Sequence, residues 1–239
     1  MKMSLIISGL IMLCAAGGYA AAEDVKKPAE ETLFKKAVAY YYQQKFEMAE
    51  LMLQEELKTN PENALAYSYL GDIFLLKKRY DGAMDLYRKA VDLNPSSAED
   101  HFRIGQIYYY KKDGKTAIEE FRRAFEINEN IKYAYYHMGL SYLMLMRDKK
   151  QTIECWETYL RIAPEDPQHE KIRRVIELLK DPNFTIPPVG SEISIEEALH
   201  LGGAVLKETA HQTEDKKAGH EKKKTKDTME DVYRDDALK

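Results

Sequence analysis

A chain of 239 residues has room for one or two domains, and with 32% charged and 44% hydrophobic residues it has an ordinary soluble, helix-compatible composition. Its formal charge of -4 and pI near 5.9 leave no basic excess for displacing counterions from a phosphate backbone, which argues against nucleic acid as a partner.

The chain opens with Lys2 and an uncharged run from Met3 to Ala22, ending in the small residues Gly18, Ala20, Ala21 and Ala22. A short positive start, an apolar stretch and small residues before the first acids, Glu23 and Asp24, form the layout of a secretory signal peptide over residues 1–22. Two alternatives stand beside it. The same run is just long enough to span a bilayer as an uncleaved anchor, and Cys14 is available for lipid modification, although bulky Leu13 precedes it. Each reading places residues 23–239 outside the cytoplasm, periplasmic or secreted. Only Cys155 then remains, so no intramolecular disulfide can form and the thiol is expected to pack as a small apolar group.

From residue 31 a period governs the chain. Gly71, Gly105 and Gly139 lie 34 residues apart, as do Ala49, Ala83 and Ala117. Tyr40, Phe74, Tyr108 and Tyr142 keep the same step, and Pro61 and Pro95 each follow an asparagine. Apolar residues three and four apart within each period predict amphipathic helices, with the glycine admitting a second helix at close range. Each period is therefore an antiparallel helix pair that must stack on its neighbours to bury its apolar faces.

This pattern resembles the tetratricopeptide repeat family. Repeat 2 carries Tyr67, Leu70, Gly71, Phe74, Ala83, Tyr87, Ala90 and Pro95; repeat 3 carries His101, Ile104, Gly105, Tyr108, Ala117, Phe121 and Ala124. Repeat 1 is weaker, with Lys36 and Glu56 where the family has apolar and small residues. Repeat 4 starts in phase at Tyr135, Met138, Gly139 and Tyr142, then slips by one, so that Thr152, Trp156 and Pro164 take the places of alanine, aromatic and proline. The slip predicts an extra residue in the interhelix turn near Arg147 to Lys150, and Tyr159 in an alanine's place predicts a looser last hairpin. The resemblance implies an all-α fold, a right-handed α-solenoid of four such hairpins over 31–164 (about 31–63, 64–97, 98–131 and 132–164) with a C-terminal capping helix.

That cap is expected over 165–180, where Ile172, Val175, Ile176 and Leu179 share one side. Asp181-Pro182 ends it, and Pro187-Pro188 with Gly190 predicts a stiff, extended linker over 181–193 rather than another packed unit. Ser194 and Glu197 have the spacing of a capping box opening a short amphipathic helix over 194–210. The tail beyond it, 211–239, is mixed in charge, poor in apolar groups and expected to be disordered; between Lys207 and Lys239 it counts nine basic and nine acidic residues.

In the family the inner helices line a concave groove, and the resemblance carries its positions to Phe34, Val38 and Tyr41 in repeat 1, and to Ser68, Asp72 and Leu75 in repeat 2. It carries them to Phe102, Gln106 and Tyr109 in repeat 3 and to Tyr136, Leu140 and Leu143 in repeat 4. Such a surface suits an apolar or helical segment of a partner protein; packing of these aromatics against one another across repeats is the alternative. The set that grips chaperone carboxylate tails elsewhere in the family is missing: Phe34, Val38, Tyr69, Glu99 and Arg103 occupy those places, and only Arg103 matches. Because the 181–193 linker reaches up to about 40 Å when extended, the 194–206 helix is also able to fold back into the groove as an intramolecular occupant. No catalytic motif, cofactor fingerprint or paired metal ligands occur, and His200, His211 and His220 are too widely spaced for a compact metal site. The expected role is an extracytoplasmic, non-enzymatic scaffold or adaptor that assembles an envelope protein complex, without cofactor. The alternative is an accessory subunit of an envelope enzyme or transporter. Membrane contact is expected only through an uncleaved N-terminal anchor.

Overall fold

The computed structural model describes residues 32–200. The leader expected over 1–22, the helix expected over 194–210 where it passes residue 200, and the tail expected over 211–239 lie outside the described residues. Among the described residues the elements form successive hairpins: α1 (Leu33–Tyr42) with α2 (Phe46–Thr59), α3 (Ala64–Leu76) with α4 (Tyr80–Leu93), α5 (Ala98–Tyr110) with α6 (Gly114–Ile127), and α7 (Tyr133–Ser141) with α8 (Lys149–Ile162). A ninth helix, α9 (His169–Lys180), packs on α8. Each inner helix (α1, α3, α5, α7) packs mainly on the outer helix of its own hairpin (α2, α4, α6, α8), and the outer helix then meets the next inner one. The result is a solenoid of four hairpins with a cap.

The 34-residue glycine period has a packing cause. A Cβ on Gly71 would lie 2.9 Å from the Tyr87 ring, one on Gly105 2.7 Å from Phe121, and one on Gly139 2.5 Å from Trp156. Each glycine of an inner helix is thus a seat for an aromatic of the paired outer helix, and all three aromatics are at most 1% exposed. The first hairpin solves the same problem with different volumes: Ala37 stands at the glycine's position and Leu53 at the aromatic's, both fully buried. A smaller knob admits the extra methyl.

The irregular residues of repeat 1 also find explanations. Lys36 is exposed, whereas its equivalents Leu70, Ile104 and Met138 pack against the outer helix of the preceding hairpin. Glu56 replaces the alanine found at Ala90 and Ala124 and is 9% exposed; its carboxylate accepts hydrogen bonds from Asn60 Nδ2 at 3.3 Å and Asn63 Nδ2 at 3.0 Å. It thereby ties down the turn into α3, so its burial is compensated.

The first three interhelix turns are alike. Gln44, Lys78 and Lys112 sit at φ 58°, 57° and 66°, and each turn closes with paired backbone bonds, such as Arg79 N to Phe74 O at 2.8 Å and Lys78 N to Leu75 O at 2.9 Å. This is the Schellman helix ending, which favours glycine at the left-handed residue. Lys112→Gly is expected to stabilise the fold by about 0.5 kcal/mol in urea melts, the relief of left-handed strain exceeding the entropy glycine loses; an unchanged midpoint would count against strain at that residue.

Repeat 4 departs from expectation here. The extra residue is not in the turn: the inner helix widens into a π-helical turn over Tyr142–Met146, and the left-handed residue, Arg147 at φ 54°, comes five residues after the aromatic instead of four. Asp148 N closes on Tyr142 O at 3.0 Å, one residue further than its counterparts. An insertion inside a helix is absorbed most cheaply as a local π turn that keeps the backbone bonded, and the turn that follows keeps a left-handed residue. Thr152 fits where an alanine was expected because its hydroxyl donates to Asp148 O at 2.7 Å. Tyr159 does not loosen the hairpin: it is 1% exposed, and its hydroxyl donates to Asp166 Oδ2 at 2.6 Å.

At the end of the stack α9 buries Ile172, Ile176, Leu178 and Leu179, with Val175 half-buried. The extended segment after it is strapped to the last hairpin by two basic side chains. Lys149 Nζ donates to the carbonyls of Asp181 (2.9 Å) and Phe184 (2.8 Å), and Arg147 Nε donates to Pro187 O at 3.0 Å. Phe184 and Ile186 rest on the last core cluster. The proline pattern announced an extended chain but not the two basic side chains whose donors it satisfies. A short helix from 195 to 200 then begins, with Glu197 N donating to Ser194 Oγ at 3.0 Å.

Candidate functional site

The inner helices bring the expected groove positions together, and three zones of different chemistry result. The N-terminal zone is aromatic: Tyr69 makes edge-on contacts with Phe34 (6.0 Å between centroids), Tyr41 (5.0 Å) and Tyr42 (6.3 Å), and the Tyr42 and Tyr69 hydroxyls lie 3.2 Å apart. Phe34 and Val38 are half-buried, whereas Tyr41 is buried.

The middle zone is polar. Asp72 accepts from Tyr41 Oη at 3.2 Å, Tyr87 Oη at 2.6 Å and Arg103 Nε at 3.0 Å, while Arg103 Nη1 donates to Gln106 Oε1 at 3.1 Å. Burial pushes the Tyr41 and Tyr87 hydroxyls well above the ordinary phenol range, and the Asp72 charge adds to it. Burial works against the Arg103 charge, but Asp72 and the two tyrosines outweigh it and hold the guanidinium protonated. Arg103 is therefore neutralised by Asp72 within the wall. Beside this network Asp100, 3% exposed, accepts from Ser68 Oγ at 2.9 Å; burial raises its carboxyl above the usual range, with the serine bonds partly opposing. Leu75 is half-buried and completes this zone.

The C-terminal zone is covered. Phe102 packs on Phe121 (5.3 Å) and on the edge of His137 (5.1 Å), and Tyr136 stacks on Trp156 (6.0 Å), whose Nε1 donates to Tyr136 O at 3.0 Å. His137 lies among Phe102, Phe121 and Tyr136; burial, reinforced by Arg103, pushes its imidazole down to about 3. Tyr136, Leu140 and Leu143 are 7%, 2% and 0% exposed, in one cluster with Ile195 and Leu199, with Tyr109 packed against it. In repeat 4, then, the groove positions are occupied core and not open surface.

The open apolar surface lies elsewhere than the groove positions alone suggest. The last residue of each inner helix, Tyr42, Leu76, Tyr110 and Met146 at the end of the π turn, is 68%, 39%, 38% and 39% exposed respectively. These four form a periodic row that packing within the stack covers only in part: Tyr42 meets the edge of Tyr69 and Tyr110 stacks on Tyr80 at 5.2 Å, and each keeps more than a third of its surface open. Sequence reasoning missed them, and it missed the Tyr41–Asp72–Arg103 chain. A signal for the latter exists: the three residues are spaced 31 apart, one repeat less one helical turn, the step that joins neighbouring inner helices.

A separate cleft of about 570 Å³ opens between α6, α7 and α8, floored by Phe125, Tyr135, Met138 and Cys155 and edged by Glu126 and Glu154. Burial pushes the Cys155 thiol up to about 11, so it packs as a small apolar group and is not a nucleophile at neutral pH. Among the described residues no three histidine, cysteine or carboxylate side chains converge as a metal site would require, and no helix is long and apolar enough to cross a membrane.

Tetratricopeptide repeat models match residues 34–98, 101–131 and 133–166, together a little over half of the chain. The chain belongs to the tetratricopeptide repeat family. No curated protein matches the sequence. Among solved structures, a crystal structure of MamA protein aligns with this tetratricopeptide repeat chain at 21% identity and a TM-score of 0.56, covering 79% of this chain and 96% of that one. A MamA fragment from Desulfovibrio magneticus RS-1 aligns at 18% identity and a TM-score of 0.52, covering 56% and 76%. A mutant O-GlcNAc transferase from Thermobaculum terrenum aligns at 20% and 0.51, covering 54% of this chain but 25% of that one. At these identities the likeness establishes the fold.

Proposed function

We propose that this tetratricopeptide repeat chain is a non-catalytic protein-interaction scaffold that holds an apolar segment of a partner protein along its inner helices, and that it does so at the cell envelope. The observation that carries the reading is the exposed row of Tyr42, Leu76, Tyr110 and Met146 beside the half-buried Phe34, Val38, Leu75 and Phe102. Periodic apolar area left open by a stack whose core is already closed is what a docked helix or extended segment needs. The envelope part rests on Lys2 and the uncharged run to Ala22.

The test is site-specific photo-crosslinking in the full chain in its native cells, with the crosslinker at Leu76 or Tyr110 and a control at exposed Lys89 on α4. A discrete protein adduct from the first two sites and none from the third is expected; equal adducts at all three sites, or none at Leu76 and Tyr110, would remove the groove from the interaction. Fusing a reporter that is active only outside the cytoplasm to the C-terminus checks location: no reporter activity would rule out the envelope.

A further inference from the structure

The repeat-4 positions of the inner helices are buried in one cluster with a segment from beyond α9. We propose that residues 194–200 are a displaceable, built-in occupant of the repeat-4 end of the groove. A partner reaching that end must then compete by presenting a short helix with two aliphatic residues four apart. This rests on the groove being the partner surface, and it names both a regulation of that surface and the chemistry of what fits it.

Four observations support the assignment. First, the described contact is two-pronged: within residues 195–200 Ile195 and Leu199 are buried, at 4% and 8%, while Glu196, Glu197 and His200 face solvent. Second, those two side chains belong to one buried cluster with Tyr136, Leu140 and Leu143, the repeat-4 groove positions, and with Trp156 and Tyr159 of α8 and Ile172, Ile176, Leu178 and Leu179 of α9. Third, the end of the stack is already closed by α9 with four buried side chains, so a cap alone does not account for a second covering helix. Fourth, the path is deliberate. After the straps at Lys149 and Arg147, residues 188–194 are all exposed, with Val189 at 82% and Gly190 at φ 81°, forming a solvated tether between the strap and the docked helix.

A short helix that buries two anchors among its described residues is marginal by itself. Tethering gives it an effective concentration in the millimolar range, enough to fill the site in an isolated chain and too little to resist a partner that engages the open repeats as well. Occupancy therefore raises the threshold for binding without closing the site, and the aliphatic pair spaced i, i+4 is the pattern that one helical face presents.

The decisive experiment uses the full chain and a fluorescent synthetic peptide of residues 191–206. Wild type should bind the added peptide weakly, because its own segment holds the site. Ile195→Glu with Leu199→Glu should bind it at least tenfold more tightly, and adding Leu140→Glu should abolish that gain. Equal binding by wild type and the double variant, or no binding by a folded double variant, overturns the proposal. In case the double variant does not fold, a protease site inserted after Gly190 leaves every contact residue native. After cleavage, the 191–239 fragment should leave on dilution and be displaced by the peptide; a fragment retained without exchange shows a permanent part of the core and overturns the proposal. The crosslinks at Leu76 and Tyr110 lie outside the covered end. The occupant idea is therefore able to fail while those adducts persist, and the scaffold reading to fail while the peptide still binds.

Discussion

Gly139→Ala is expected to cost about 3 kcal/mol of stability, the upper part of the range for overpacking a core. The added methyl would meet the Trp156 ring at 2.5 Å, and the ring has little room to retreat, being 1% exposed and hydrogen bonded through Nε1 to Tyr136 O. The mechanism makes a sharper demand in the third hairpin. Gly105→Ala should cost about 2 kcal/mol against Phe121, and Phe121→Leu alone about 1 kcal/mol, from lost burial. Combined, they should be less destabilised than the sum, because the chain already uses an alanine–leucine pair at Ala37 and Leu53. Urea melts of the four proteins form a double-mutant cycle. Strict additivity would mean that the glycines serve some purpose other than seating the aromatics.

Acid should unfold the protein early, with His137 a principal cause. Its imidazole titrates near 3 in the folded chain against 6.5 in the reference state, so between those values the folded chain binds fewer protons than the unfolded one. Stability is therefore present above about pH 6.5 and is lost as the pH falls, by about 1.4 kcal/mol per unit or roughly 3 kcal/mol by pH 4. Asp100 acts in the opposite sense: its raised carboxyl makes the folded state the stronger proton binder, so its contribution improves as the pH falls. His137→Phe, which keeps a ring among Phe102, Phe121 and Tyr136, should remove most of the difference between urea midpoints at pH 7 and pH 4. A variant that keeps the wild-type pH slope would move the cause elsewhere.

The solenoid is legible in the sequence because its cause is periodic. Gly71, Gly105 and Gly139 recur because Tyr87, Phe121 and Trp156 need seats, and a steric requirement repeated at each hairpin leaves a repeated mark. What was not legible lies where the requirement is local. Reading only residue types places the repeat-4 insertion in the turn, because sequence cannot separate an extra loop residue from a π-helical one; the backbone bond from Asp148 to Tyr142 separates them. The groove shows the same division. Its positions follow the period, so the inner-helix residues are found. Leu140 is buried in a cluster that draws on α8, α9 and the segment around Ile195, 55 residues away and outside the period, and Asp72 becomes a polar hub through partners on three different helices.

The π turn at Tyr142–Met146 has a consequence for how such a chain is able to change. Because the π turn absorbs the extra residue, deleting one residue there would restore the 34-residue phase and the regular ending of the first three hairpins. Arg147, the left-handed residue after that turn, also donates to Pro187 O and Met144 O, so the widened turn holds one mooring of the segment leading to Ser194. The irregular fourth repeat and the C-terminal strap are thus coupled through Arg147 and Lys149, as the first three hairpins are coupled through Asp72, so no hairpin of the stack is exchangeable without its neighbour.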